Sequence, residues 1–395
     1  MKSENTRNLD FEDSEIAFKG KSNAELRQIH LLFKVMNNGG LVKMGKNMVN
    51  MAFSLHLPIQ FIIRNTLYKH FVGGTSIENC AKTIDKLASR HVDSILDFAV
   101  EGEEDEALFD STSDEVIRTI KYAQKHEKVP YSVFKITGVG RFDLLVKVSD
   151  KTTLTPQEEE EYARIQARVD AIFRAGFEHG VPVLIDAEET WIQPVLDDLV
   201  MEMMAIYNKE KAIVQNTYQM YRHDSIERIK QHHQMALKMG FKFGLKIVRG
   251  AYMEKERARA EAMGYPSPIQ PDKASTDRDF DAIIYYFMEH LDTIDFMVAT
   301  HNEKSSRLLA SLIDEYNLAP NHAGIYFAQL YGMSDNLTYN LAEKGYNVAK
   351  YIPYGEVKTM MPYLFRRAEE NTSVKGQSSR ELKLIEKEIK RRKIK

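Results

Sequence analysis

Two adjacent arginines, Arg366 and Arg367, follow Tyr363 and precede Glu370. Spaced three or four residues apart, Tyr363, Arg366, Arg367 and Glu370 share one face of a helix that Pro362 is placed to open. Upstream, an apolar strand ends in Tyr351 and the chain turns at Gly355. Neighbouring guanidiniums repel each other and lose hydration unless an anion sits between them, and their planar forks suit a carboxylate. Most arginine pairs are solvated surface features. Here the tyrosines and the strand-turn-helix setting favour a built anion site, with Tyr351 and Tyr363 enclosing a small apolar ring beside it. The pattern suits a small cyclic amino acid.

Such a site needs a scaffold, and eight apolar runs supply one. They are Ser94–Val100, Tyr131–Thr137, Val181–Asp186, Lys211–Thr217, Phe243–Arg249, Ile294–Thr300, Gly324–Leu330 and Asn347–Ile352, separated by longer helical stretches. Alternation of this kind builds parallel α/β units. Ser94 to Gly355 is 262 residues, close to the roughly 250 of a (β/α)8 barrel. An open doubly wound sheet is the runner-up, but no strand is followed by a complete GxGxxG; Gly138-Val139-Gly140 lacks the third glycine. The expected organisation is a helical arm over 1–92, an α/β barrel of the (β/α)8 TIM type over 93–372, and a basic tail over 373–395. Thr155-Pro156-Gln157-Glu158 reads as a capping box opening a helix. The long, proline-broken stretch Tyr252 to Asp281 after the fifth run reads as a lid.

Composition narrows the function. The chain has 395 residues, 43% of them hydrophobic, and a formal charge of −3, which argues against nucleic acid as a partner. Mean hydropathy is −0.41. The longest apolar stretch, Met48 to Ile63, is too polar to span a bilayer. The single cysteine, Cys80, excludes an internal disulfide, fits a reducing compartment and reads as a small buried hydrophobe. The N-terminus resembles neither a secretory signal nor a transit peptide. The expected location is the cytoplasm.

In a barrel the carboxyl ends of the strands form the site. Those ends carry Glu101, Lys135, Asp186 with Glu188, Gln215, Lys246 with Arg249, Thr300-His301-Asn302, Leu330 and Tyr351. Lysines and arginines at neighbouring ends oppose a dication, and His232-His233, being adjacent on a helix, diverge; no metal is expected. There is no G-x-S-x-G nucleophile elbow. Cationic and amide groups without a nucleophile or metal imply that a bound cofactor carries the chemistry. Arg249-Gly250-Ala251-Tyr252 offers a backbone approach and a cation for a pyrophosphate.

Assembled in this order, the chain resembles the proline dehydrogenase family over roughly residues 70 to 372. The resemblance is carried by Phe71-Val72-Gly73-Gly74, Ile95 to Glu101, Ile185-Asp186-Ala187-Glu188, Val248 to Tyr252, Ala299-Thr300-His301-Asn302, Leu330 to Met333 and the block from Tyr351 to Asn371. It implies a distorted barrel that holds FAD without a Rossmann domain. It implies that Arg366 and Arg367 clamp the carboxylate of L-proline with Lys135 as a third cation. Tyr351, Tyr363 and Leu330 would pack on the ring, Asp186 orient the cations, and Glu101 pair with Arg366 as a gate. For FAD the matching positions are Gln215, Lys246, Arg249, Gly250, Ala251, Tyr252, Thr300, His301, Asn302 and Glu370. Many bacterial members have arginine near flavin N5 where this chain has Lys246, which retains the charge but not the planar fork. The implied reaction passes a hydride from proline C5 to flavin N5 and leaves Δ1-pyrroline-5-carboxylate.

At 395 residues the chain is too short for the aldehyde dehydrogenase module of bifunctional relatives, so a monofunctional enzyme is expected, and the resemblance implies a membrane quinone as electron acceptor. Ser379 to Lys395 carries eight Lys/Arg against three acids, with Leu382, Ile385 and Ile389 at helical spacing. It is the expected peripheral contact with the inner face of the membrane. Alternatives are a hydroxyproline dehydrogenase, which the bulk of Tyr351 opposes, an aldolase or lyase using Lys135 or Lys246 as a Schiff base, and a catalytically inert barrel.

Overall fold

Eight parallel strands close into a barrel in chain order: β1 Asp93–Phe98, β2 Tyr131–Lys135, β3 Val183–Asp186, β4 Val214–Gln219, β5 Phe243–Val248, β6 Ile294–Ala299, β7 Ile325–Leu330 and β8 Val348–Tyr354. In this computed structural model the described residues are 9–55, 57, 59–98, 105–373 and 377–394. Each predicted run overlaps one strand. The closing pair, β1 with β8, runs from Asp93↔Ala349 to Phe98↔Tyr354. The runs are apolar nearly throughout because both strand faces are buried.

The largest boundary error falls on β4. Its strand begins and ends later than the run Lys211–Thr217 suggests, since Ala212 and Ile213 lie in the approach and the polar stretch Gln215–Gln219 is buried strand. Polarity hid this strand's end. Asn216 faces outward to Asp197 and Tyr218 to His232, so Gln215, Thr217 and Gln219 face the lumen.

The helical arm comprises α1 Ser14–Phe18, α2 Asn23–Met36, α3 Gly39–Ser54, a short π-helical turn at Arg64–Tyr68, and α4 Ile77–Ala88. Around the barrel follow α5 Glu106–Gln124, α6 Pro156–His179, α7 Gln193–Tyr207, α8 Ser225–Met239, α9 Lys273–Met288, α10 Glu303–Glu315 and α11 Asp335–Glu343. Two more helices, Phe142–Ser149 and Met253–Met263, sit in the loops after β2 and β5. The capping box of α6 is complete: Thr155 and Glu158 each accept the other's backbone N–H.

The distortion lies in the helix that follows β8, α12 Met361–Ser373. Tyr363 and Leu364 pack with Met36, Tyr68, Phe71 and Met333, so α12 joins the arm. The barrel wall at β1 and β8 is instead packed by α4, whose Cys80, Ile84 and Leu87 share a core with Leu96 and Ile352. Gly355 makes this departure possible: its φ of 148° suits glycine, and its N–H donates to Gly74 O at 3.1 Å. Cys80 is fully buried, and burial pushes its thiol up to about 12. It packs as the expected small hydrophobe.

The tail's reading as a membrane contact conflicts with its packing. In α13 Gln377–Arg391, Leu384 and Ile385 are buried against Ala17, Phe18, Leu26 and Phe33, with Leu382 and Ile389 beside them. Arg392 donates to Phe18 O and Lys21 O, and Arg391 and Arg392 both bind the fully buried Glu388. Both the apolar face and much of the charge are already engaged. Among the described residues no helix is long and apolar enough to cross a membrane.

Candidate active site

The carboxyl ends of β2, β3, β5 and β8 converge on one cluster of charges. Lys246 donates to Asp186 Oδ1 at 2.5 Å and to the Tyr351 hydroxyl at 2.6 Å. Lys135 Nζ lies 4.0 Å from Asp186 Oδ2 and 3.7 Å from Asp97 Oδ1. One carboxylate therefore stands between two lysines contributed by different strands. Burial, reinforced by Asp186 and then Asp97, raises the Tyr351 phenol well above its usual value, so it remains protonated. Leu330 packs against the lumen cluster that holds Tyr351 and also against the cluster that holds Tyr363. It links the barrel mouth to α12. Arg367 is buried on α12 with its guanidinium 5.2 Å from the Tyr363 ring centre; Arg366 beside it is half-buried.

A second group lies at the ends of β5 and β6. Arg249 donates to Asp277 at 2.7 Å, Thr300 at 2.6 Å and Ser305 at 2.9 Å, and stacks over Phe280. Asn302 caps α10 by accepting from Lys304 and Ser305. Gly250 has φ 129°, and a Cβ there would fall 2.6 Å from the Tyr221 ring, so only glycine passes. Ala251 donates to Gln219 Oε1 at 3.3 Å, and Gln219 in turn donates to Glu188 O at 2.7 Å. Tyr252 stands at the N-cap position of the helix Met253–Met263. His301 is bonded through Nδ1 to Ser334 Oγ at 2.9 Å; burial, then the charges of Lys350, Arg367 and Arg249, push it down to about 3. Its imidazole is neutral.

Thus Lys135, Asp186, Lys246, Tyr351, Leu330, Tyr363 and Arg367 come together, and Arg249 to Tyr252 with Thr300 to Asn302 form the neighbouring rim. Gln215 does not join them. It pairs in register with Leu184 and Gly244, a layer below the mouth, and donates to Ala212 O at 3.1 Å. Glu101 lies outside the described residues, as does the side chain of Glu370. Glu188 accepts from both the backbone and the hydroxyl of Thr137, and His232 and His233 bind different partners, Tyr218 and Tyr286. The presumed lid is pinned to the rim by Glu256, which accepts from Thr190 N at 2.7 Å, and by Gln270 N–H to Tyr221 O.

Residues that sequence reasoning missed are Thr217, Gln219, Asp97 and the charges behind β7 and β8. Thr217 stands on the lumen face beside Lys246, and its buried hydroxyl oxygen has no hydrogen-bond partner among the described residues. Strand alternation would have found it had β4 been placed correctly. Lys350, fully buried and outward on β8, donates to Leu330 O and Met333 O and bridges Asp335, which also pairs with Lys21 at 3.1 Å. The end of β7 at Leu330 and the loop after it are tied down from outside.

The model of the proline dehydrogenase family matches residues 80–380. The chain belongs to the proline dehydrogenase family. Within that family it is 32% identical to proline dehydrogenase 1, mitochondrial, of Dictyostelium discoideum, over 98% of this chain and 76% of that protein. It is 35% identical to the carbapenem antibiotics biosynthesis protein CarD of Pectobacterium carotovorum, over 84% of this chain and 85% of the relative. Among solved structures, proline utilization A from Bdellovibrio bacteriovorus, inactivated by N-propargylglycine, superposes with a TM-score of 0.71 at 22% identity. That match covers 92% of this chain and 38% of the other.

The family is flavin-dependent in general, and the residues present fit such a group. The lumen offers an unsatisfied buried hydroxyl at Thr217 beside the Lys246 ammonium, and the rim offers Arg249 and a glycine-opened backbone. These are donors suited to the polar edge of an isoalloxazine and to a pyrophosphate.

Proposed function

We propose that this chain oxidises L-proline to Δ1-pyrroline-5-carboxylate with FAD as its cofactor. The observation that carries the reading is the Lys135–Asp186–Lys246–Tyr351 cluster at the mouth of this family's barrel, joined through Leu330 to Tyr363 and the arginine helix. Arg366, Arg367 and Lys135 hold the carboxylate, and Asp186 keeps so many cations from scattering. Tyr351, Tyr363 and Leu330 enclose the pyrrolidine carbons and exclude water. Proline gives up its amine proton to solvent and a hydride from C5, which leaves the C5=N bond. Bound FAD supplies the two-electron acceptor at N5. Lys246 and Thr217 would hold its ring, with Arg249, Gly250 to Tyr252, Thr300 to Asn302 and Glu370 for the remainder. The protein's contribution is orientation and fixed charge rather than a covalent bond. Electrons then pass to a quinone.

A Schiff-base lyase fits less well. Lys246 Nζ is already engaged by Asp186 and the Tyr351 hydroxyl, whereas an attacking amine must be free to approach a carbonyl. Anaerobic addition of proline to the purified protein, loaded with FAD, tests the reading: the visible flavin bands bleach. Protein that stays colourless after reconstitution, or oxidised under saturating proline, refutes it.

A further inference from the structure

A cavity of about 360 Å³ lies between α2, the π-helical turn, α4 and the residues that follow β7. That volume falls within the roughly 300–1,000 Å³ of small-ligand pockets. None of its lining residues belongs to the charge cluster at the barrel mouth, and nothing in the oxidation of proline calls on it.

The lining divides in chemistry. Ile29, Leu32, Val35, Leu67 and Leu87 supply an apolar wall. Asp335 is buried and Lys21 half-buried, so they mark the deep side, while the exposed Lys69 and Lys86 mark the open edge. His70 Nε2–H donates to Gly332 O at 2.8 Å and ties the arm to the loop after β7, which holds the two sides of the cavity together.

Charge selects the polar end of an occupant. Lys21 Nζ lies 3.1 Å from Asp335 Oδ2, and Lys350 Nζ lies 3.2 Å from Asp335 Oδ1, so one carboxylate faces two ammoniums. Glu381, raised to about 7 by burial and then by Asp335, supplies only part of a second negative charge. Three cations of the lining, Lys21, Lys69 and Lys86, face two acids, Glu25 and Asp335. The positive excess is felt at His70, which burial and then Lys21 push down to about 4. An ammonium carries three N–H donors, and Asp335 occupies only one direction around Lys21.

We infer that this cavity binds an amphiphilic monocarboxylate, its head group on Lys21 and its apolar chain along α2 and α4. A second carboxylate brings the two buried ammoniums into balance, and the chain replaces water against the leucines. Tyr331 and Gly332 directly follow Leu330 and line the cavity, so the occupant rests against the loop that Lys350 anchors.

Calorimetric titration of the full chain, with FAD added, against decanoate tests it. One equivalent binds, and decanol, which has the same chain length without the charge, binds at least tenfold more weakly. Val35→Trp fills the edge of the cavity and lowers decanoate affinity at least tenfold, while proline-dependent dye reduction is unchanged. Lys21→Met brings decanoate down to the level of decanol. Lys69→Glu, an exposed exchange that leaves the buried charges alone, weakens decanoate and spares decanol even where Lys21→Met does not fold. Saturating proline under anaerobic conditions leaves decanoate bound. No binding, equal affinity for decanol, an undiminished Val35→Trp variant or uptake of many equivalents overturns the proposal. Displacement by proline also overturns it, because the carboxylate then sits at the barrel mouth. Binding is read without turnover, so its failure leaves the oxidoreductase reading intact, and failure of flavin bleaching leaves decanoate binding untouched.

Discussion

Asp186→Asn separates charge from shape at the centre of the site. The amide retains an oxygen that Lys246 can reach, so the hydrogen bond survives while one negative charge disappears. A bond to an ionised partner contributes about 1.5–3 kcal/mol and a neutral one about 0.5–1.5, so the Lys246 contact weakens by about 1 kcal/mol. Lys135, 4.0 Å away, loses an attraction of about 4 kcal/mol gross at an effective dielectric of 20, much of which the recovered solvation offsets. A net loss of about 2–3 kcal/mol remains, or about 30- to 150-fold in kcat/KM if both lysines must be held for the reaction. Steady-state dye reduction with proline gives this number directly, and flavin absorbance confirms that the cofactor is retained. Because one carboxylate serves both lysines, Lys135→Met should do less damage in the Asp186→Asn background than in the parent. A folded, flavin-bearing variant within twofold of the parent would refute the argument that Asp186 positions the cations.

Tyr351 fills the lumen beside Leu330, so proline should be preferred to trans-4-hydroxyproline, and Tyr351→Ser should narrow the kcat/KM ratio; a sharper preference contradicts the steric account. Asp335→Asn leaves the half-buried Lys21 and the buried Lys350 against a neutral amide, and urea unfolding should show a loss of about 3–5 kcal/mol. An unchanged midpoint would mean that the two lysines find other partners. Glu381 accepts the Ser334 N–H at 2.6 Å; burial, then the nearby Asp335, raises it to about 7 from 4.5 against the opposing charges of Lys350 and Lys21. The folded form holds this proton more tightly than the unfolded one. The resulting stability is full below about pH 4.5 and is lost as pH rises through 7, by up to ~3 kcal/mol. Glu381→Gln should flatten that part of the stability–pH curve, and an unaltered slope would assign it elsewhere.

How legible each part was depends on whether local pattern or distant packing decided it. The barrel was readable because its strands are short apolar runs separated by helices with their own start signals, as at Thr155 and Glu158. Lys135, Asp186, Lys246 and Tyr351 were readable because strand ends in a barrel meet at one mouth. Gln215 was misplaced since Gln215 to Gln219 look like the end of a strand when read for hydropathy. In fact those polar side chains are buried, with Asn216 bound to Asp197 and Gln219 to Glu188. Lys350 was illegible for a different reason. Nothing in Ala349-Lys350-Tyr351 announces that a residue more than three hundred positions earlier, Lys21, will share Asp335 with it. The tail's amphipathic spacing was read correctly and its partner wrongly, because periodicity reveals an apolar face and not what covers it.

The terminal helices and the catalytic mouth are consequently parts of one mechanical unit. Leu330 packs on the lumen cluster at the mouth, while its carbonyl is held by Lys350 on the opposite side of the barrel wall. Lys350 is held by Asp335, Asp335 by Lys21 just ahead of α2, and the neighbouring Ser334 by both Glu381 of α13 and His301 of the rim. A disturbance of either terminus therefore reaches Leu330 and His301 through a short series of buried polar contacts rather than through the strands. Buried charges of this kind contribute little net stability compared with apolar packing, but they tolerate few alternative arrangements. Their effect here is to fix where the β7 loop stands, and with it the wall of the barrel mouth beside Tyr351.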